Sequence, residues 1–127
     1  MARLPVRSER VEQAHIIQVA RTLGARVYVL GTVRRRGDYP GTMQTAGLPD
    51  LWMVLPLVWR GARWVSVVGG GLWWEVKRQG GRRTPAQMQF ADECDMAGVA
   101  YGWGDCDAFI RWCREHGLLR GEIARTG

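Results

Sequence analysis

Asp50, Glu75 and Lys77 have side chains of the types that phosphodiester chemistry needs, and Glu9 adds a third carboxylate. Asp50 opens one apolar run and Glu75 lies inside another, so pairing of the two runs as strands brings both carboxylates to one spot. Two carboxylates held close repel unless a cation lies between them. Hard oxygen donors suit Mg2+, or Mn2+ in its place. A lysine beside that cation can hold an attacking water or neutralise charge building on a phosphate. These residue types fit metal-assisted hydrolysis of a phosphodiester. Lys77 also stands out by count. Of 18 basic residues it is the single lysine, in a chain otherwise committed to arginine. An ammonium is a compact point charge and a guanidinium a broad planar fork, so the two are not interchangeable.

The elements that must position these groups can be read from local pattern. Residues 73–78, Trp-Trp-Glu-Val-Lys-Arg, read as a strand bounded by glycines on both sides. Alternation puts Trp73, Glu75 and Lys77 on one face and Trp74 and Val76 on the other. Residues 50–58 read as another strand, entered rigidly through Pro49, with Pro56 interrupting it or marking an edge. Residues 26–33 form an earlier strand, 64–68 a short further one, and 99–103 a last one.

Residues 9–23 read as the first helix, with Ser8 as N-cap, Glu9 and Glu12 in its first turn and Gly24 as its stop. Ile16, Ile17, Ala20 and Leu23 make its buried stripe, which Glu9 and Gln13 continue toward the N-terminus. Thr84-Pro85-Ala86-Gln87 is a capping box that starts a helix running to about Ala97, with Gly98 ending it. Asp105 or Asp107 opens a final helix ending near His116 and Gly117. The order α-β-β-β-α-β-α predicts one α/β domain over residues 1–127, a small mixed sheet flanked by helices.

Composition narrows the partners. The formal charge of +6 and pI near 10 favour a polyanion, nucleic acid first. Arg34, Arg35 and Arg36 form one basic cluster, and Arg78, Arg82 and Arg83 another, both in Gly-containing stretches suited to a phosphate backbone. No apolar run is long enough to span a bilayer, and the polar N-terminus does not read as a secretory signal. Three cysteines without a Cys-x-x-Cys motif point to reduced thiols in a cytoplasmic setting. Cys106, Cys113 and His116 share a helix region, but zinc ligands usually come from separate elements, and buried thiols are the default.

Three segments carry a resemblance: Gly47-Leu48-Pro49-Asp50-Leu51, Trp74-Glu75-Val76-Lys77 and Thr84-Pro85-Ala86-Gln87. In this order and spacing they resemble the motif series of the VRR-NUC domain, a branch of the PD-(D/E)XK nuclease superfamily. Ser8-Glu9 with Gln13 resembles its opening helix, and the similarity spans roughly residues 8–115. The resemblance implies a Mg2+-dependent nuclease with a restriction-enzyme-like core. It makes Asp50 and Glu75 metal ligands with the Val76 carbonyl as a third, and Lys77 the catalytic lysine. Glu9 matches the helix carboxylate that completes the site, with Glu12 as its rival, and Gln87 matches the glutamine of the second helix. Stand-alone members resemble structure-selective endonucleases acting as homodimers, with four-way junctions as a candidate substrate. The link from residue 57 to 71 is longer than usual between the two motifs, and Trp59 and Trp64 in it suit a dimer surface. The alternative is a non-catalytic, basic nucleic-acid-binding module.

Overall fold

The computed structural model describes residues 6–30 and 46–119. The expected contacts from Arg34, Arg35 and Arg36 lie outside the described residues. The first helix, α1 (Glu9–Thr22), begins where the Ser8 hydroxyl accepts the Val11 N–H at 3.3 Å. Strand β1 (Arg26–Val29) follows, then β2 (Leu51–Val54), β3 (Val58–Arg60), β4 (Arg63–Val65) and β5 (Gly71–Val76). Helix α2 (Pro85–Ala97), strand β6 (Tyr101–Gly104) and helix α3 (Cys106–Glu115) complete the order.

The main sheet has four strands in the order β1-β2-β5-β6. The first two pairings are antiparallel and the last is parallel, so the sheet is mixed. A parallel neighbour requires a crossover, and α2 supplies it between β5 and β6. Ring contacts fix the layers. Trp74 meets Phe109 of α3 edge-to-face at 5.1 Å, while Trp73 meets Phe90 of α2 at 5.4 Å. Adjacent strand residues point to opposite faces, so α3 and α2 lie on opposite sides of β5. α1 packs beside α3, and Ile16, Ala20, Leu51, Met53, Leu72, Trp74, Val76, Phe109 and Cys113 fill the core between them and the sheet.

One expectation is met and one needs correction. The run 50–58 is interrupted around Pro56, which has no N–H for a ladder: β2 ends at Val54 and β3 begins at Val58. The run 64–68 is not a strand of the main sheet. Residues 58–65 instead form a separate antiparallel hairpin, β3–β4, with Trp59 opposite Trp64. The α-β-β-β-α-β-α core therefore carries an inserted hairpin. Its tip has Gly61 at φ 55° and Ala62 at φ 67°. Two consecutive positive φ values make the tight turn whose twist suits paired strands.

The remaining helix signals match the structure. The Thr84 hydroxyl accepts the Gln87 N–H, the Gln87 side chain accepts the Thr84 N–H at 2.8 Å, and Gly98 ends α2 at φ 72°. Asp105 caps α3 by accepting the Ala108 N–H at 2.9 Å. Among the described residues no helix is long and apolar enough to cross a membrane.

Candidate active site

Strand register sets the geometry of the acidic groups. Leu51 pairs with Trp74 across β2 and β5, so one step further Asp50 stands opposite Glu75. On the other side the Leu30 N–H donates to the Asp50 carbonyl at 2.7 Å, which holds Asp50 at the end of the β1–β2 ladder. Leu30, Asp50 and Glu75 thus form one cross-strand row, and directly opposed residues have Cβ atoms about 5 Å apart. Lys77 follows Glu75 by two and shares its face.

Each group in this row is oriented by a named contact. The Val76 N–H donates to Asp50 Oδ2 at 2.9 Å. In an antiparallel ladder the N–H and C=O of one residue leave on the same side, so the Val76 carbonyl also faces the Asp50 edge. The neighbouring Lys77 N–H points the other way, to the Gly104 carbonyl at 3.1 Å. Gln87 Nε2 donates to Glu75 Oε1 at 2.6 Å. Its amide cannot turn around, because Oε1 already accepts the Thr84 N–H. The capping box of α2 therefore aims the amide that holds Glu75. The box thus accounts for only half of the bonding of Gln87.

Glu75 is 3% exposed and Lys77 9%. Glu75 Oε2 is buried with no hydrogen-bond partner. Burial first, then the charge of Asp50, push the Glu75 carboxyl up to about 8, against the opposing pull of Lys77, and Glu9 adds to the rise; a bond between the two carboxyl groups forms only when one of them carries a proton. Two carboxyl groups facing each other at the edge of a core cannot both ionise freely. They need a shared proton or a cation. Among the described residues the sole ion pair is Arg7 with Glu12, so the Lys77 ammonium is not held in a direct pair with either acid.

The first helix behaves differently from its expected stripe. Glu12, not Glu9 or Gln13, is the buried member of the line that continues through Ile16 and Ala20. Its Oε2 accepts from Arg7 Nε at 2.9 Å, and its Oε1 accepts the Cys106 N–H at 3.1 Å, at the start of α3. Unpaired N–H groups at a helix start favour a carboxylate. Glu12 is thereby taken up in joining two helices. Glu9 is exposed in the first turn, and its charge contributes to the raised Glu75 carboxyl. Among the described residues no three or more His, Cys, Asp or Glu side chains form a metal-holding group. Glu9 does not join Asp50 and Glu75 in such a group, and Cys106, Cys113 and His116 do not make one.

The donor set that is present comprises two opposed carboxyl groups, one with an unpartnered buried oxygen, and a backbone carbonyl aimed at the same edge. This fits a single hard divalent ion. Mg2+ in particular is commonly held by one or two carboxylates while it keeps several waters.

The basic residues of the loop after β5 divide. Arg78 and Arg82 are exposed, whereas Arg83 lies over the Trp103 ring at 4.5 Å. A cavity of about 470 Å3 beyond it, lined by Arg83, Asp92, Asp95, Trp112 and His116, contains none of the opposed acids. An aromatic row beside the acids, which includes Trp52 and Trp73, escaped the sequence reading. The signal was present: Trp52 is two after Asp50 and Trp73 two before Glu75, so antiparallel pairing that joins the acids also joins the rings. Comparison with family models, curated proteins and solved structures found no match.

Proposed function

We propose that this chain is a Mg2+-dependent DNA endonuclease of the VRR-NUC type, with a restriction-endonuclease-like core. The observation that carries this reading is the opposition of Asp50 and Glu75 across β2 and β5, with Glu75 Oε2 buried and unpartnered. A purely phosphate-binding module gains nothing from two acids held together beside its basic surface. The mixed sheet between helices is compatible with the core that the resemblance implies.

In this reading Asp50, Glu75 and the Val76 carbonyl hold the cation. When bound, that ion supplies charge to the scissile phosphate and lowers the pKa of a bound water. Gln87 fixes the Glu75 carboxyl so that its free oxygen faces Asp50. Glu9 adds negative charge at the rim. Lys77, buried on the face of Glu75, orients the attacking water or balances charge on the phosphate. Arg78 and Arg82 meet the DNA backbone. Branched DNA, four-way junctions included, is the proposed substrate. The exposed Trp59–Trp64 pair, with ring centroids 5.2 Å apart, is the proposed contact of a homodimer.

The test is cleavage of labelled four-way, flapped and linear DNA with and without Mg2+. Wild type cuts only with the metal. Asp50→Ala and Lys77→Ala lose roughly a hundred-fold or more in rate, as loss of one charge-stabilising group does, while circular dichroism stays unchanged. Wild type that binds DNA but never cuts it leaves the binding module as the function. A variant that cuts at the wild-type rate removes that residue from the site. Solution scattering should give a dimer mass.

A further inference from the structure

The sheet carries an aromatic row that neither the core nor the proposed catalytic groups explain. In register, Tyr28 stands opposite Trp52, Trp52 opposite Trp73, and Trp73 opposite Tyr101. The Trp52 and Trp73 ring centroids are 4.7 Å apart. Helix α2 covers one half of the row, where Phe90 packs on Trp73 and Tyr101. Among the described residues nothing covers the other half. A groove of about 460 Å3 remains there, lined by Tyr28, Leu30, Trp52, Val54 and Trp73. Tyr28 is 49% exposed and Val54 44%. The backbone also makes room for the rings. The Trp52 indole lies across Gly71 so closely that any Cβ at that position would meet it.

This row sits directly beside the row of acids. Same-face neighbours along a strand are about 7 Å apart, so an aromatic ligand resting on Trp52 is one step from the Asp50 and Glu75 pair. The opposite flank carries one basic group. Arg26 is exposed and on the face of Tyr28, two residues away. A second copy of the chain would bring its own Arg26 and its own charge of +6 against this surface. A ligand with flat apolar faces and a negative backbone matches both features, and an unpaired nucleic-acid strand is such a ligand. Flat rings tolerate any base, because every base has a π-face.

We infer that the open half of this row is a stacking platform for unpaired bases. The substrate then carries unstacked nucleotides next to the scissile phosphate, and uninterrupted duplex is a poor one. The inference rests on the proposed nuclease reading for the position of the cut, but the platform itself is measured by binding alone.

The experiment uses the full chain in EDTA, so that no cutting occurs. Fluorescence anisotropy compares a labelled thymidine oligomer with a duplex of equal length, for wild type, Tyr28→Ala and Trp52→Ala. Loss of one base–aromatic stack weakens binding by roughly 5- to 100-fold. We expect that loss for the single strand and a clearly smaller one for the duplex. Photocrosslinking with a 5-iododeoxyuridine oligomer, mapped by mass spectrometry, should mark Tyr28 or Trp52. Unchanged single-strand affinity in both variants, or crosslinks confined to other surfaces, overturns the platform. Variants that change the solution mass and not the affinity make the face a contact between copies, which also overturns it. Variants that lose stability in urea and not affinity mean that these rings only pack the sheet, and the platform falls in that case too. Tyr28 is exposed, so its replacement keeps the test usable even if Trp52→Ala fails to fold. If stacking is found but wild type never cuts with Mg2+, the nuclease reading fails and the platform stands.

Discussion

Glu75→Gln should stabilise the metal-free protein, and only at higher pH. The Glu75 carboxyl titrates near 4.5 in an unfolded chain and near 8 in the fold. Below 4.5 both states carry the proton, so the residue adds no penalty. Between 4.5 and 8 the unfolded chain gives up the proton and the folded one keeps it. The unfolded state then binds fewer protons, and stability falls as pH rises. At about 1.4 kcal/mol per pH unit the full loss is roughly 5 kcal/mol, complete above pH 8. Glutamine has the same shape, can accept from Gln87 and donate to Asp50, and never ionises. Urea unfolding in EDTA should therefore show wild type and variant within about 1 kcal/mol at pH 4.5, a shift typical of a mild substitution. At pH 8.5 the variant should be several kcal/mol more stable. Mg2+ at a hundred times its dissociation constant adds about 2.7 kcal/mol to the state that binds it, so it should narrow the gap at pH 8.5. A difference that is the same at both pH values would refute the reasoning, because the opposition of Asp50 and Glu75 would then cost nothing.

Two other outcomes test the supports of the site. Glu12→Ala removes the buried carboxylate that joins Arg7 to the first N–H of α3; charge-assisted bonds of this kind contribute about 2 kcal/mol, so the urea midpoint should fall accordingly while Mg2+-dependent behaviour persists. Burial pushes the Cys113 thiol up to about 12, which leaves almost no thiolate at neutral pH. A thiol reagent should label Cys113 only on unfolding, and rapid native labelling would show that the α3 core is open.

How far this site could be read from sequence depends on the range of each interaction. The start and stop of α2 were legible because Thr84, Gln87 and Gly98 act within a few residues of one another. The convergence of Asp50 and Glu75 was legible as a condition, since it needs only that two strands pair. It did not fix the register, which Leu51–Trp74 and Leu30–Asp50 supply. The hairpin was legible only in part: Arg60-Gly61 marks a turn, but nothing local says that the runs on either side pair with each other and not with the main sheet. Glu12 was misjudged for a different reason. Its partner, the Cys106 N–H, lies 94 residues away, and no local pattern on α1 announces it. Arg83 was grouped with its arginine neighbours by sequence; its place over the Trp103 ring, brought there from β6, needs the fold.

The hairpin leaves the sheet and returns to it between two strands that are already neighbours. Leu55 donates to the Gly70 carbonyl at 2.7 Å, so the β2–β5 ladder closes before the excursion begins. Val58 and Val67 anchor its base in the core, while among the described residues no atom beyond the chain neighbours lies within 4 Å of where a side chain at Gly61 would start. Within one copy, residues inserted at that tip would cost mainly loop-closure entropy, about 0.6 kcal/mol for each doubling of length, provided that they leave Arg60 on the His116 carbonyl and the Trp59–Trp64 pair in place. The tip is thus a graft point, where a dye or an affinity tag can be carried without moving the opposed acids.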